Sequence, residues 1–181
     1  VYEDENILLV DKPVGMVVHE DESGDSDTLI NRIKSYLYRK GEYHPENELS
    51  FAPALCNRID RNTFGIVIAA KNAESLRILN QKIRDRELTK LYLCIACGKV
   101  TPDSATLTAY LEKNSDTNTV KISDKKTKSN LTIKTKYKVI AYNGENSLLK
   151  VDLLTGRSHQ IRAHLAYIGH ALLGEGKYGN N

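Results

Sequence analysis

Residues 57–70 read Asn57-Arg58-Ile59-Asp60-Arg61-Asn62-Thr63-Phe64-Gly65-Ile66-Val67-Ile68-Ala69-Ala70, a charged turn that runs straight into an apolar stretch. Thr63 and Gly65 let the chain turn tightly, and the run from Gly65 to Lys71 predicts a buried strand. Asn72 then offers a helix cap. Behind it Leu76, Leu79 and Ile83 recur on one helical face, with Lys82, Arg84 and Arg86 toward the end that favours cations.

Working outward, residues 1–20 read as paired strands. Ile7-Leu8-Leu9-Val10 is an apolar run, Asp11-Lys12-Pro13-Val14-Gly15 a turn, and Met16-Val17-Val18-His19 resumes an extended pattern. A polar loop from Glu20 to Asp27 supplies several cap residues. Leu29, Ile33, Tyr36 and Leu37 then predict an amphipathic helix ending near Arg39, and residues 40–53 read as loop. Downstream, Leu88 to Gly98 predicts a buried strand. Residues 105–150 predict an antiparallel meander: Thr106 to Leu111, Val120 to Ile122, Asn130 to Ala141 and Ser147 to Leu154. It carries Lys121, Lys125, Lys126, Lys128, Lys134, Lys136 and Lys138. A helix starting near Ser158 buries Ile161, Leu165 and Ile168 and stops at Gly169. The fold class expected is α+β, a mixed, mainly antiparallel sheet flanked by helices and loops. No repeat or internal boundary interrupts it, so residues 1–181 read as a single domain.

The 181 residues are 40% apolar and 27% charged, which excludes a disordered chain. A net charge of +3 permits an acidic partner without demanding one. No run approaches the roughly 20 apolar residues of a membrane span, and no signal peptide opens the sequence. Val1 is not an initiator Met, so the chain reads as a fragment or a processed product, truncated at one or both ends. Cys56, Cys94 and Cys97 are odd in number and scattered, which is not a disulfide framework; a cytoplasmic setting follows.

Several residues are equipped for chemistry. Asp60 stands between Arg58 and Arg61, which favour its ionised form. An aspartate beside arginine also reads as an ordinary weak ion pair capping a turn, and spacing alone does not single it out. Arg157-Ser158-His159-Gln160-Ile161-Arg162 opens a helix, where backbone N–H groups with Arg157 and His159 form a plausible phosphate site; a solvated basic face is the competing reading. His159 and His164 are five apart and do not share the face that a helical zinc site requires, so no metal is expected. Cys94-Ile95-Ala96-Cys97 lies within an apolar strand and reads as two buried structural thiols rather than a redox pair. The lysine cluster fits a phosphate backbone or a solvated hairpin equally. Tyr92, two residues after Lys90, can stack on a base or simply pack.

Taken together, these segments resemble the RluA-type family of RNA pseudouridine synthases over nearly the whole chain. Tyr2 to Met16 is similar to its first catalytic segment. Asn57 to Gly65 matches an H-R-L-D-x-x-T-S-G pattern, Leu88 to Tyr92 a K-x-Y strand, and Leu154 to Leu165 a G-R-[ST]-H-Q-[IL]-R-x-H segment. Gly169 to Glu175 and Tyr178-Gly179 follow in family order. The resemblance implies isomerisation of uridine to pseudouridine in structured RNA, most often large-subunit ribosomal RNA with tRNA as the alternative, and no metal or cofactor. It implies Asp60 as the nucleophile or base at the ribose, Tyr92 as the ring on the flipped uracil, and Arg162 as the partner of the aspartate. Arg58, Lys90, Arg157 and His159 become RNA contacts, and Leu173 a wall of the uracil pocket. Asn57 and Phe64 depart from the family's His and Ser. Nothing matches the family's S4-like domain, and the strand that family members carry beyond Tyr178-Gly179 is not in the sequence. A non-catalytic RNA-binding module and a nucleoside hydrolase are the competing classes; a hydrolase would want a second carboxylate as acid.

Overall fold

The computed structural model describes residues 1–20, 26–47 and 51–179. They form two compact units, Val1–Glu87 and Leu88–Asn181. The first holds strands β1 (Tyr2–Glu3), β2 (Ile7–Lys12), β3 (Ala54–Leu55) and β4 (Gly65–Ala70), with helices α1 (Leu29–Arg39) and α2 (Ala73–Arg84). Its sheet runs β1-β2-β4-β3, antiparallel throughout. The second holds β5 (Leu91–Cys97), β6 (Ser104–Asn114), β7 (Thr119–Ser123), β8 (Leu131–Tyr142), β9 (Asn146–Leu153) and helix α3 (Gln160–Tyr167). Its sheet runs β5-β9-β8-β6-β7, again antiparallel. The α+β expectation holds, with the strands distributed over two sheets.

In the first unit the sequence signals act as physics requires. The Thr28 hydroxyl accepts from Asn31 N at 3.3 Å and caps α1. Leu29, Ile33 and Leu37 pack in one cluster with Leu8, Val18, Tyr43, Val67 and Ala69, and Ile30 beside them is buried too. Tyr36, expected on that face, stands 38% exposed and donates its hydroxyl proton to Glu3 at 2.7 Å. Asn72 caps α2 by accepting from Ser75 N at 2.8 Å. Leu76, Leu79 and Ile83 are half-buried as the spacing predicted. Residues 16–19 are not a strand; β2 instead continues through Lys12 and pairs with β4. The expected loops at Glu20–Asp27 and 40–53 fall partly outside the described residues.

In the second unit α3 lies on the sheet, with Leu165 fully buried and Ile161 and Ile168 packed against Tyr137, Leu149 and Val151. The strand expected to be buried from Leu88 is in fact an alternating one. Tyr92, Cys94 and Ala96 face this core, while Leu91, Leu93 and Ile95 are 52%, 68% and 45% exposed. An apolar run hides which of its faces meets the core. Cys94 and Cys97, three apart on a strand, point to opposite faces, and Cys97 is exposed, contrary to expectation. Burial pushes the Cys94 thiol up to about 12, so it is inert at neutral pH.

Candidate active site

The turn that carries Asp60 is held from both ends. Lys12, with no exposed surface, donates from Nζ to the carbonyls of Pro13 at 2.8 Å, Met16 at 2.7 Å and Arg61 at 3.0 Å. Gly15, at φ +87°, donates its N–H to the same Arg61 carbonyl at 2.9 Å. Thr63 N donates to Asp60 O at 3.0 Å and closes the turn. Burial lowers the Lys12 ammonium below its usual range, and the charge of Asp60 opposes that shift. Asn57, the first departure from the family pattern, acts as a strand surrogate: its Oδ1 accepts from Ile68 N at 2.8 Å and its Nδ2 donates to Ile66 O at 3.3 Å. Phe64, the second departure, is 73% exposed and carries none of this framework. Asp60 is half-buried and Arg58 exposed.

In the second unit the Thr155-Gly156-Arg157 turn is tied to β8 through Gln160, which is almost fully buried. Its Nε2 donates to Lys134 O at 3.1 Å and to Thr135 Oγ1 at 3.0 Å. Its Oε1 accepts from Thr155 Oγ1 at 2.9 Å and Arg157 N at 3.1 Å. The backbone N–H of Arg157 is therefore engaged, and the expected phosphate cradle does not include it. The Arg157 side chain is exposed. Gly156 gives room to Lys90: a Cβ there would stand 2.7 Å from Lys90 Nζ. Thr135 Oγ1 in turn bonds His164 Nδ1 at 2.9 Å, and burial pushes the His164 imidazole down to about 4, so it is neutral.

Arg162 projects from α3 and makes a bidentate pair with Glu175. Its Nε donates to Oε2 at 2.6 Å and its Nη2 to Oε1 at 2.8 Å. The Arg162 guanidinium holds the Glu175 carboxyl down at about 2 against its burial, helped by the N–H groups of Lys177 and Tyr178. The guanidinium carbon lies 5.5 Å from the Tyr178 ring centre. The Tyr178 hydroxyl bonds His159 Nδ1 at 2.6 Å and accepts from Val120 N at 3.0 Å. His159 adopts a left-handed conformation, φ +52°, which a non-glycine residue holds only when its surroundings fix it.

Asp60 is thus carried by the first unit, and Tyr92, Arg162, His159, Arg157 and Lys90 by the second. Tyr92 packs half-buried on the core that α3 covers. Leu173 stands 58% exposed, its N–H donating to Ile95 O at 2.8 Å. Within the lysine cluster, Lys126 is tied to Asn130 O at 2.8 Å and lies over the Tyr110 ring, while Lys134, Lys136 and Lys138 alternate on the exposed face of β8. Lys12, Gln160, Glu175 and Tyr178 carry no local signal of a role, although each falls inside a family-like segment. Only the family order marked them. Among the described residues no group of three or more His, Cys, Asp or Glu is placed to hold a metal ion, and no helix is long and apolar enough to cross a membrane.

The fold is that of solved pseudouridylate synthase domains. Human RNA pseudouridylate synthase domain containing 1 superposes with a TM-score of 0.78 at 22% identity, covering 99% of this chain and 69% of that one. Human RNA pseudouridylate synthase domain containing 4 gives 0.77 at 20% identity, over 98% and 67%. The chain belongs to the RNA pseudouridylate synthase family, whose model matches residues 6–167 and so includes Asp60, Tyr92 and Arg162. Among curated relatives, ribosomal large subunit pseudouridine synthase D of Borreliella burgdorferi is 31% identical over 179 residues, 99% of this chain and 54% of that protein. The mitochondrial tRNA pseudouridine(32) synthase of Saccharomyces cerevisiae is 31% identical over 185 residues, 100% of this chain and 37% of that protein. The chain therefore spans about half the length, or less, of these relatives.

Proposed function

We propose that residues 1–181 act as one catalytic domain that isomerises uridine to pseudouridine in structured RNA. The observation that carries this reading is the family match over residues 6–167, with the Asp60 turn inside it held by a fully buried lysine. Asp60 acts at the ribose of the target uridine, as nucleophile at C1′ or as base toward a ribose proton. The N1–C1′ bond breaks, the uracil turns within the site, and C5 joins C1′; C5 then gives up its proton and N1 takes one, so the product is an isomer of the substrate. Tyr92 stacks on the extruded base, and Arg162 supports the charge of the aspartate. Arg58, Lys90, Arg157 and His159 bind the surrounding RNA, and Leu173 lines the uracil pocket.

The physical demands fit these residue types. A stacked uridine hides its C1′, and extruding it costs a few kcal/mol. Phosphate contacts from arginine and lysine offset part of that cost. A uracil retained in the site recombines as an intramolecular step. Large-subunit ribosomal RNA is the preferred substrate class, on the Borreliella relative's name, and tRNA is the second, on the yeast relative's. The three cysteines are unpaired, which fits a reducing, cytoplasmic setting.

The test is to incubate the protein with unmodified ribosomal RNA and tRNA and to map pseudouridine by chemical labelling and primer extension. A discrete site that disappears with Asp60→Asn is the expected result. Activity retained in Asp60→Asn would remove Asp60 from the chemistry, and RNA binding without any product would point to a non-catalytic module.

A further inference from the structure

We infer that Glu175 is the positioning residue of Arg162, acting on the reaction only through that guanidinium. This rests on the reading of Arg162 given above. Both oxygens of the carboxylate are engaged by Arg162 along one edge of its fork, at 2.6 and 2.8 Å. Oε1 also accepts from Lys177 N at 2.8 Å and Tyr178 N at 3.3 Å. Glu175 is thus fixed to its own backbone turn before it holds anything else. Its side chain keeps 4% exposure against 27% for Arg162, so the carboxylate is sealed while the guanidinium still reaches outward.

The donor inventory says what this achieves. A guanidinium has five N–H donors in one rigid plane. Glu175 takes two of them from one side, which sets the plane and turns the remaining donors the other way. The Tyr178 ring fixes a second direction, with its centre 5.5 Å from the guanidinium carbon. Tyr178 is itself anchored through its hydroxyl to Val120 N and His159. An arginine without these supports would sample many rotamers, and each would place its charge differently. A carboxylate as well enclosed as Glu175 has no route to a substrate, which excludes it as acid or base.

The experiment uses the full chain with Glu175→Gln, Glu175→Asp and Arg162→Ala. Glu175→Gln keeps the shape and one acceptor and removes the charge. It should lower the single-turnover rate of pseudouridine formation on an unmodified RNA transcript on the order of 10–100-fold, with RNA affinity unchanged to within about twofold. In the Arg162→Ala background the same change should alter the rate by less than about twofold, because the group it acts through is gone. Equal losses in both backgrounds would overturn the proposal. So would a fall in thermal stability with no fall in rate. If Glu175→Gln does not fold, Glu175→Asp replaces it in the same two backgrounds. A separate arm needs no turnover. Nitrogen-15 spectra of the wild-type protein should show a slowly rotating Arg162 guanidinium that becomes fast in Glu175→Gln; an unchanged signal would overturn the proposal. Absence of product in the wild type would count against the functional reading alone, leaving this arm decisive for Glu175.

Discussion

The buried ammonium of Lys12 and the backbone Gly15 N–H converge on one acceptor, the carbonyl of Arg61, at 3.0 and 2.9 Å. Arg61 is the neighbour of Asp60, so the loop after β2 and the turn before β4 are closed onto each other at the carboxylate. Lys12→Met should leave the Pro13 and Met16 carbonyls without the ammonium donor and the Arg61 carbonyl with the Gly15 N–H alone. A loss of roughly 2–4 kcal/mol in urea unfolding is expected. Where the variant is folded, single-turnover rate should fall more than RNA affinity. A stability change under about 0.5 kcal/mol would show that the bonds are dispensable.

Asn57 joins the backbone of β4 where a family histidine usually stands. Asn57→Ala removes one acceptor and one donor from a half-buried strand. The expected cost is about 1–2 kcal/mol, measured by chemical denaturation. Asn57→Asp keeps the acceptor toward Ile68 N but loses the donor toward Ile66 O, and should cost less than the alanine.

Gly156→Ala tests the placement of Lys90. The added Cβ would meet the end of a flexible side chain, so stability should change by less than about 1 kcal/mol. Lys90 must move, and if it contacts phosphate, the slope of log affinity against log salt should fall by about one. Titrating an unmodified RNA at several salt concentrations reads this directly, and an unchanged slope would remove Lys90 from the phosphate contacts.

Acid should destabilise the fold in two stages. His164 is lowered from its ordinary 6.5 to about 4 by burial. The unfolded chain therefore takes up the proton first, and stability present above pH 6.5 is lost as pH falls toward 4. Glu175 is lowered to about 2, mainly by Arg162, so its contribution is lost between about 4.5 and 2. Each stage is worth at most about 3 kcal/mol. Urea midpoints at pH 7.5, 5 and 3 should decline at each step, and His164→Asn should flatten the first decline while leaving the second.

What the sequence revealed, it revealed through period and punctuation. The stripe of α2, the burial of β4 and the cap at Asn72 are local patterns that survive folding unchanged. β3 is two residues long and leaves no periodic trace. The extended reading of Met16–His19 failed because alternation alone does not supply a pairing partner, and β4 had already taken β2. Nothing local marks Lys12, because a lysine is seldom fully buried. Its three acceptors lie on two segments, and the farther of them is 49 residues along the chain from Lys12. The Glu175–Arg162 pair spans 13 residues and a change of direction, so neither residue announces the other. Asp60, Tyr92 and Arg162 were legible only as members of family-like segments, because the chemistry of an aspartate beside arginine is common.

The chain of buried polar groups from Arg157 to His164 has a direction. Gln160 presents its NH₂ to the Lys134 carbonyl and to Thr135 Oγ1, and Thr135 Oγ1 is also hydrogen-bonded to His164 Nδ1. A proton added at Nδ1 makes the ring a donor there, and the Thr135 hydroxyl, whose oxygen can accept two hydrogen bonds, would turn its own hydrogen away and accept from both Gln160 and His164. Oε1 of the same amide holds Thr155 and Arg157, so one buried side chain joins the strand that carries Lys134 and Thr135 to the exposed basic turn. Donation runs inward, from the Arg157 N–H to Gln160 and from Gln160 to Thr135, so the basic turn is braced from beneath while its arginine side chain is left to the surface.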